Sequence, residues 1–206
     1  VKGTANTAAY EYYLQAKHRF AKRKSHNDNK IGRDLLKKAI ELDENFMEAK
    51  YFLGEFYNNT GEQEKAEKIF NKTLEQSRGL DNQSGIAMSL TGLGDIFAFR
   101  GQYVNAIEKF SAALNIFEAI GNKSFAAGQY IGIGVSYHYM LDLNRAKENY
   151  DKALAIKKEI NDEYGVLHVS NAIAYQFADT GDFQKGLDWH YEALRLGENL
   201  KYPSGI

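Results

Sequence analysis

Residues 91–110 read TGLGDIFAFRGQYVNAIEKF, and residues 131–150 read IGIGVSYHYMLDLNRAKENY. Both stretches place two glycines just before a run of larger apolar residues, at positions 92 and 94 and again at 132 and 134. When residues 91–120 are aligned with residues 131–160, eight positions are identical. Self-similarity at a fixed spacing indicates a repeat architecture, in which each unit is one supersecondary element. The chain is therefore predicted to be built from repeats of 40 residues.

The same spacing extends in both directions along the chain. A column of small residues contains Gly54, Gly94, Gly134 and Ala174, and a ring follows each of them three positions later: Tyr57, Phe97, Tyr137 and Phe177. A second ring column contains Phe70, Phe110, Tyr150 and His190. The apolar residues around these columns recur at i, i+4, i+7 and i+8, which is typical of the buried stripe of an α-helix. Two helices per repeat, and an all-α fold, are predicted.

Each repeat is predicted to be a helix hairpin. Gly94 lets a neighbouring helix approach closely, and Gly101 ends the first helix because glycine adopts the left-handed C-cap conformation without steric cost. Phe110 then fills the gap between the small residues Ala106 and Ala113 of the second helix. A hairpin of this kind cannot bury its apolar stripe alone, so successive hairpins are predicted to stack.

The paired glycines also suggest a phosphate-binding loop, and the sequence speaks against that alternative. A dinucleotide-binding fingerprint needs a third glycine three positions after the second, where Phe97 and Tyr137 stand. No strand-like run precedes either glycine pair, and the phosphate-loop pattern GxxxxGK[ST] is absent. Close packing between helices is therefore the favoured role of these glycines.

These columns resemble the tetratricopeptide repeat family, whose pattern sets a Leu-Gly pair and an aromatic residue in the first helix, then Ala, an aromatic residue and Ala in the second. The residues that carry the resemblance in residues 46–79 are Leu53, Gly54, Tyr57, Ala66, Phe70 and Leu74. The period of 40 is longer than the family's roughly 34, and is similar to repeats of kinesin light chains, G-protein regulators and bacterial peptide-pheromone receptors. The usual proline is absent, with Glu44 in its place in the first unit. The resemblance implies a right-handed α-α superhelix of stacked hairpins.

Residues 1–206 are predicted to form a single array of about five repeats. Their approximate bounds are 8–45, 46–79, 85–120, 125–160 and 165–199, followed by a truncated further helix at 200–206. The first repeat is irregular, and its segment KRKSHNDNK, residues 22–30, is interpreted as an exposed insertion because it is too long for the usual turn. The runs AYEYYLQAKHRF and LLKKAIELDENFMEAKYFLGEFY resemble the first repeats of arrays in bacterial multidomain signalling proteins described as adenylate or guanylate cyclases.

Composition excludes several classes of protein. The chain is 44% hydrophobic and 26% charged, which is close to ordinary globular usage, and its formal net charge of -1 gives no general attraction to nucleic acid or to an anionic membrane. Without cysteine it has neither disulfides nor thiolate metal sites, which suits the cytoplasm. No stretch approaches the roughly 18 consecutive apolar residues of a membrane span. Because the chain starts at Val1 rather than Met, we interpret it as a fragment of a larger signalling protein.

No residue pattern indicates catalysis, a metal or a cofactor. The five histidines form no HxxxH or HExxH pair, and the nucleophile motif GxSxG is absent. The serines at 89, 111, 136 and 170 lie within predicted helices rather than on a strained turn. A non-enzymatic protein is therefore predicted, with no catalytic residues, no metal and no cofactor.

Residues 17–38 carry nine Lys or Arg side chains against two Asp, a pattern that also suits nucleic-acid binding. The neighbouring rings Tyr12, Tyr13 and Phe20 have the spacing of a helix core rather than of a stacking platform. A solvated basic face is therefore favoured, and no nucleic-acid partner is predicted.

In tetratricopeptide arrays the first helix of each repeat lines a concave groove, and the resemblance places sixteen residues there. They are Glu48, Tyr51, Glu55, Asn58, Met88, Thr91, Asp95, Phe99, Ile131, Val135, His138, Tyr139, His168, Asn171, Tyr175 and Asp179. This set contains no Lys or Arg, so the family's carboxylate clamp for acidic peptide C-termini is not expected. A protein or peptide ligand with apolar side chains and some basic character is expected instead, with Glu55, Asp95 or Asp179 as the acidic contacts.

The predicted function is a non-enzymatic scaffold for protein or peptide interactions in a bacterial signalling protein. Two alternatives remain open: a regulatory or dimerisation module of a cyclase or kinase in the same chain, and a receptor for a small peptide signal. Self-association is compatible with the first. The groove aromatics also have an alternative role, since buried rings serve packing within an array as well as ligand binding.

Overall fold

The computed structural model describes residues 3–21 and 26–199, which form ten α-helices and no strands. The helices are α1 (Thr7–Ala21), α2 (His26–Leu42), α3 (Met47–Asn59), α4 (Gln63–Gly79), α5 (Gln83–Phe99), α6 (Tyr103–Ala119), α7 (Lys123–Tyr139), α8 (Leu143–Glu159), α9 (Glu163–Asp179) and α10 (Phe183–Asn199). The predicted all-α fold is confirmed. Among these helices, none combines the length and the apolar character needed to cross a lipid bilayer.

The chain divides into two compact units, residues 1–96 and residues 97–206. In the first unit α1 packs against α2, α2 against α3, and α3 against α4. In the second unit each of α6 to α9 packs against the helix that follows it. The division into five repeats stays a prediction, and the helix predicted at 200–206 lies outside the described residues.

The helices begin and end where local chemistry satisfies their free backbone groups. The Asp142 side chain accepts a hydrogen bond from the Arg145 amide at the start of α8, and Asp162 does the same for Gly165 at the start of α9. Glycine follows four of the helices in the left-handed region, among them Gly101, with φ of +73° just after α5. The prediction that Gly101 ends its helix is confirmed.

Glycines in the helices lie against rings. Phe70 contacts the backbone at both Gly54 and Gly92, where a Cβ atom would overlap its ring. In the second unit a Cβ atom on Gly134 would lie 2.7 Å from Cε1 of Tyr150, closer than real Cβ atoms come to such an atom. Phe70 and Tyr150 are fully buried. The packing role predicted for these glycines is therefore confirmed.

The first unit has an aromatic core that includes the rings predicted for α1. Phe20 lies 4.6 Å from Phe56 between ring centroids, and Tyr13 lies 5.0 Å from Phe46. Gly32 of α2 approaches Phe56 so closely that a Cβ atom would be 2.7 Å from Cζ of that ring. The helical interpretation of Tyr13 and Phe20 is confirmed.

The predicted insertion at residues 22–30 is wrong for its second half. Helix α2 begins at His26, so residues 26–30 are helical, and residues 22–25 lie outside the described part of the chain. The polar composition that suggested a loop also suits a helix start, because Asp28 lies in the first turn, where a negative charge is favourable. Asp28 also pairs with Arg19 of α1 at 3.2 Å.

Candidate functional site

The predicted groove residues of the first unit lie on two helices. Glu48, Tyr51, Glu55 and Asn58 are on α3, and Met88, Thr91 and Asp95 are on α5. Spacings of three and four residues put each set on one side of its helix. Met88 and Thr91 are 4% and 7% exposed, so their side chains contribute mainly to packing. The other five are partly exposed, and we call them together the acidic face.

Two carboxyl groups of the acidic face influence each other's protonation. Burial raises the pKa of Glu55 from 4.5 to about 7. Burial also raises the pKa of Asp95 well above its usual value, and the charge of Glu55 raises it further. Two nearby carboxylates in a poorly solvated place do not both ionise easily, so the pair retains a proton towards neutral pH.

Two oxygen atoms of the acidic face lack hydrogen-bond donors. Oε1 of Glu55 and Oδ1 of Asn58 are buried atoms for which the described residues provide no donor. Both side chains still keep part of their surface accessible. A buried acceptor without a donor costs free energy, about 1 to 3 kcal/mol, so this arrangement does not stabilise the unit.

Tyr51 and Glu48 are the other members of the acidic face on α3. Burial raises the pKa of the Tyr51 hydroxyl well above its usual value, and the charges of Glu55 and Asp95 raise it further. Glu48 lies at the edge of the face, against the backbone of Gly3. Burial and the Glu48 charge raise the pKa of Tyr13 to about 12. Tyr51 therefore stays a neutral hydroxyl group over the physiological pH range.

The second unit carries the other predicted groove residues, and three of the rings among them are largely exposed. Phe99, Tyr139 and Tyr175 are 74%, 62% and 61% exposed. Ile131 and Val135 instead pack against the buried core around Ala146 and Tyr150. His168 is exposed at its position on α9. We call the predicted residues with accessible or polar side chains the aromatic face: Phe99, His138, Tyr139, His168, Asn171, Tyr175 and Asp179.

Polar contacts hold part of the aromatic face in place. Nε2 of His138 lies 3.1 Å from Oδ2 of Asp179, which links α7 to α9. The ring of Tyr175 meets His190 edge to face at 5.3 Å between centroids. Nδ1 of His190 lies 3.2 Å from Oδ1 of Asn171, which is a hydrogen bond. Tyr175 is thus supported at one edge while most of its surface remains accessible.

Sequence reasoning missed one member of this surface. Tyr103, at the start of α6, stacks on Tyr139 with centroids 5.3 Å apart and planes 5° apart. Its repeat column contains Gln63, Leu143 and Phe183, so nothing in the column marks a ring that serves a surface. The pairing depends on where the side chains point, which the period does not determine.

The described residues contain no group of three or more His, Cys, Asp or Glu side chains arranged to hold a metal ion. The carboxyl pair of the acidic face has a different character. Glu55 is a partly accessible residue with one buried carboxyl oxygen that lacks a donor, which suits a ligand that donates hydrogen bonds.

Residues 45–119 match the model of the tetratricopeptide repeat family. The chain is 27% identical over 146 residues to the transcription activator GutR of Bacillus subtilis, and 26% identical over 97 residues to the Tonsoku-like protein of Drosophila melanogaster. These alignments cover 71% and 47% of this chain, but only 17% and 7% of the two relatives. The family match supports the tetratricopeptide resemblance in the part of the chain that it covers.

Solved structures resemble a larger part of this chain than the family model covers. BtubC (BKLC) from P. vanneervenii superposes with a TM-score of 0.67 at 17% identity, over 97% of this chain and 93% of that one. The apo form of RapI gives a TM-score of 0.67 at 14% identity, over 97% of this chain and 86% of that one. At such identities the likeness shows the fold alone. It confirms the predicted fold class, the all-α superhelix of stacked helix hairpins.

Proposed function

We propose that this chain is a non-enzymatic module that binds peptide segments of partner proteins, with the acidic and aromatic faces as its contact surfaces. The tetratricopeptide match supports a protein-interaction scaffold in general terms. The observation that carries the proposal is the exposure of Phe99, Tyr139 and Tyr175, each more than 60% accessible. Exposed aromatic side chains on a rigid helical support are typical of surfaces that anchor another protein.

The chemistry of the two faces defines the proposed ligand. The aromatic face offers ring surface with Asn171 and Asp179 beside it, which suits apolar side chains and polar backbone groups. The acidic face offers Glu55 and Asp95 and suits a basic side chain. An extended or helical peptide of mixed apolar and basic character is the proposed partner. The proposed setting is the cytoplasm, which suits a chain without cysteine.

Selection from a displayed library of random twelve-residue peptides tests this proposal. Peptides retained by the wild-type chain are expected to be rich in apolar and basic residues and to bind at least tenfold more weakly to Tyr175→Ala. Leu80→Ala is the control, because Leu80 is 52% exposed just after α4 and belongs to neither face. Equal loss of affinity in both variants, or a library that yields no specific peptide, would contradict the proposal.

A specific observation favours the dimerisation alternative as a second candidate. Four apolar side chains of α10 are about half exposed or more: Phe183 (67%), Leu187 (48%), Tyr191 (66%) and Leu194 (53%). They recur at i, i+4, i+8 and i+11, which is one stripe of the helix. The equivalent α6 positions Tyr103, Ile107 and Leu114 are half-buried or buried within the second unit. The α10 stripe thus continues a packing surface, and a second copy of the chain is its proposed occupant.

Sedimentation velocity across a range of protein concentrations tests this second candidate. The wild-type chain is expected to form dimers, and Leu187→Lys to remain monomeric with unchanged helicity. A monomer at every concentration for both proteins would rule out self-association through α10.

Two more specific proposals follow from these functions. They are regulation of a cyclase or kinase in the same parent chain, and reception of a peptide signal. GutR is named as a transcription activator, and its alignment supports a module within a longer regulatory protein.

A further inference from the structure

We propose that Glu55 and Asp95, together with the side-chain oxygen of Asn58, form a subsite for one protonated primary amine of the bound peptide. This inference rests on the proposed peptide-binding function and names the chemistry that the acidic face recognises. Primary ammonium groups occur on lysine side chains and on free peptide N-termini. The two sources share the same chemistry and are separated by the experiment below.

The first line of support is the unpaired acceptors. Glu55 Oε1 and Asn58 Oδ1 are buried, and no donor within the described residues reaches either atom. Residues 55 and 58 are three apart on α3, so their side chains lie on the same side of that helix. An ammonium group has three N–H donors and no acceptor, so it can donate hydrogen bonds to both of these oxygens.

The second line of support is the repeat register. Residues 55 and 95 are exactly one period of 40 apart, so they occupy the same position on α3 and α5. The charge of Glu55 raises the pKa of Asp95, which is the effect expected of two neighbouring carboxyl groups. When the carboxyl groups of Glu55 and Asp95 are both ionised, they repel each other. A cation bound between them removes that repulsion.

The surroundings of the pair determine its pH behaviour. Two other titratable groups are coupled to the pair. The charges of Glu55 and Asp95 raise the pKa of the Tyr51 hydroxyl, and Tyr13 raises it further. Neither ring is ionised near neutral pH, because the pKa of each is raised. No basic side chain is among the groups that shift the pKa of Glu55 or of Asp95. At a pH where the pair retains a proton, an incoming ammonium group is therefore expected to displace that proton.

Three synthetic peptides test the subsite: acetyl-Ala-Leu-Lys-Leu-Ala-amide, the same peptide with norleucine in place of lysine, and the norleucine peptide with a free N-terminus. Norleucine keeps the aliphatic chain of lysine but has no ammonium group. Each is titrated into protein labelled with ¹³C at the Asp and Glu side chains, and the carboxyl carbons of Glu55 and Asp95 are followed by NMR. We expect a Kd for the lysine peptide at least tenfold below that of the acetylated norleucine peptide. A gain from the free N-terminus alone would assign the subsite to a peptide terminus.

Isosteric variants keep the test independent of folding. Glu55→Gln and Asp95→Asn are expected to raise the Kd of the lysine peptide to that of the norleucine peptide. Glu75→Gln on the exposed side of α4 is the control and is expected to change neither value. Affinity for the lysine peptide is also expected to rise between pH 5.5 and 8, with proton release detected by calorimetry in buffers of different ionisation enthalpy. The norleucine peptide is expected to show neither effect.

The outcomes separate the subsite from the proposed function. Equal affinities for all three peptides, or an unchanged lysine preference in Glu55→Gln and Asp95→Asn, would overturn the subsite while peptide binding still stands. If no peptide binds at millimolar concentration, the result counts against both the subsite and the proposed function. A lysine preference without proton release would also contradict the subsite, since the ammonium group would then not displace a proton from the carboxyl pair.

Discussion

Gly132 of α7 lies against the ring of Phe110 of α6, and a Cβ atom at residue 132 would be 2.8 Å from Cε2 of that ring. Phe110 is only 2% exposed, so its ring has little room to move. The second helix of one hairpin thus meets the first helix of the next through a ring seated on a glycine. A contact of this kind requires a ring and a glycine at fixed positions, which accounts for their regular spacing along the sequence.

We expect Gly132→Ala to lower the free energy of unfolding by about 1 to 3 kcal/mol, because the added methyl group overpacks the contact with Phe110. Gly128 is a matched control on the same helix, one turn earlier, since it is exposed and a Cβ atom there would have no neighbour within 4 Å. Gly128→Ala is expected to raise the free energy of unfolding by about 0.5 to 1 kcal/mol through helix propensity. Urea denaturation followed by circular dichroism measures both changes, and two shifts of the same sign would contradict the packing account.

Glu55→Gln is expected to change how stability depends on pH. In the native state the pKa of Glu55 is about 7, above its unfolded value, so its protonation stabilises the fold at low pH. That contribution is lost as pH rises from about 4 through about 7 and amounts to roughly 3 kcal/mol for a shift of this size. Asp95 acts in the same direction, because its pKa is also raised.

The difference in free energy of unfolding between Glu55→Gln and wild type is therefore expected to favour the variant increasingly between pH 5 and pH 8. Denaturation curves at the two pH values give this difference directly. Glu75→Gln, on an exposed position of α4, is expected to show no such trend. A difference for Glu55→Gln that stays constant with pH would show that this carboxyl group does not retain its proton in the folded chain.

Leu141 occupies a position where three other hairpins have Gly61, Gly101 and Gly181. Its φ is +62°, in the left-handed region that costs an L-residue roughly 1 to 2 kcal/mol, and its side chain is 82% exposed. Leu141→Gly is expected to raise the free energy of unfolding by about 0.5 kcal/mol after the greater chain entropy of glycine is subtracted. Gly101→Ala, at φ of +73°, is expected to lower it by about 1 kcal/mol. Thermal melting of both variants checks the opposite signs, and a lower melting temperature for Leu141→Gly would refute the strain at Leu141.

The ion pair of Lys157 and Asp162 is expected to matter for stability, in contrast to surface pairs. Nζ of Lys157 lies 2.7 Å from Oδ2 of Asp162, and Lys157 is 8% exposed. Asp162 also accepts the Gly165 amide at the start of α9, so Asp162→Ala removes a helix cap and leaves a buried ammonium group. We expect a loss of about 2 to 4 kcal/mol, measured by urea denaturation.

The pKa of Asp162 is lowered, mainly by its hydrogen bond from Lys157, so the stabilisation is present above the unfolded pKa and is lost as pH falls through the folded one. Asp151 serves as the control. It pairs with Lys147 at 2.5 Å on the surface of α8, and Asp151→Ala is expected to cost less than about 0.5 kcal/mol. Similar losses for the two variants would mean that burial does not strengthen the pair of Lys157 and Asp162.

The repeat columns predicted the fold because packing between helices determines which residue types occur in them. A ring that must rest on a glycine, as Phe110 does on Gly132, leaves the same pair of residue types one period earlier, where Phe70 meets Gly92. The start of α2 was not predictable in this way. Residues 26–30 carry no column residue, and their polar side chains suit a loop and a solvated first turn equally.

The helix positions of the candidate residues were predictable from the sequence, but their burial and protonation were not. The period places Glu55 and Asp95 in one column, yet the protonation of the pair depends on burial, which the sequence does not state. Met88 and Thr91 share the spacing of the accessible residues but are buried, because neighbouring helices cover them to an extent that no spacing rule gives. The stack of Tyr103 on Tyr139 depends in the same way on side-chain direction.

The central claim is that peptides bind on the first helices of the hairpins. It is tested most directly by NMR shift mapping of one peptide selected from the library, with backbone amides assigned over the described residues. We predict that the largest shifts fall on α3, α5, α7 and α9, at residues of the acidic and aromatic faces. Shifts confined to α4, α6, α8 or α10 would contradict the account, since the second helices would then carry the binding surface.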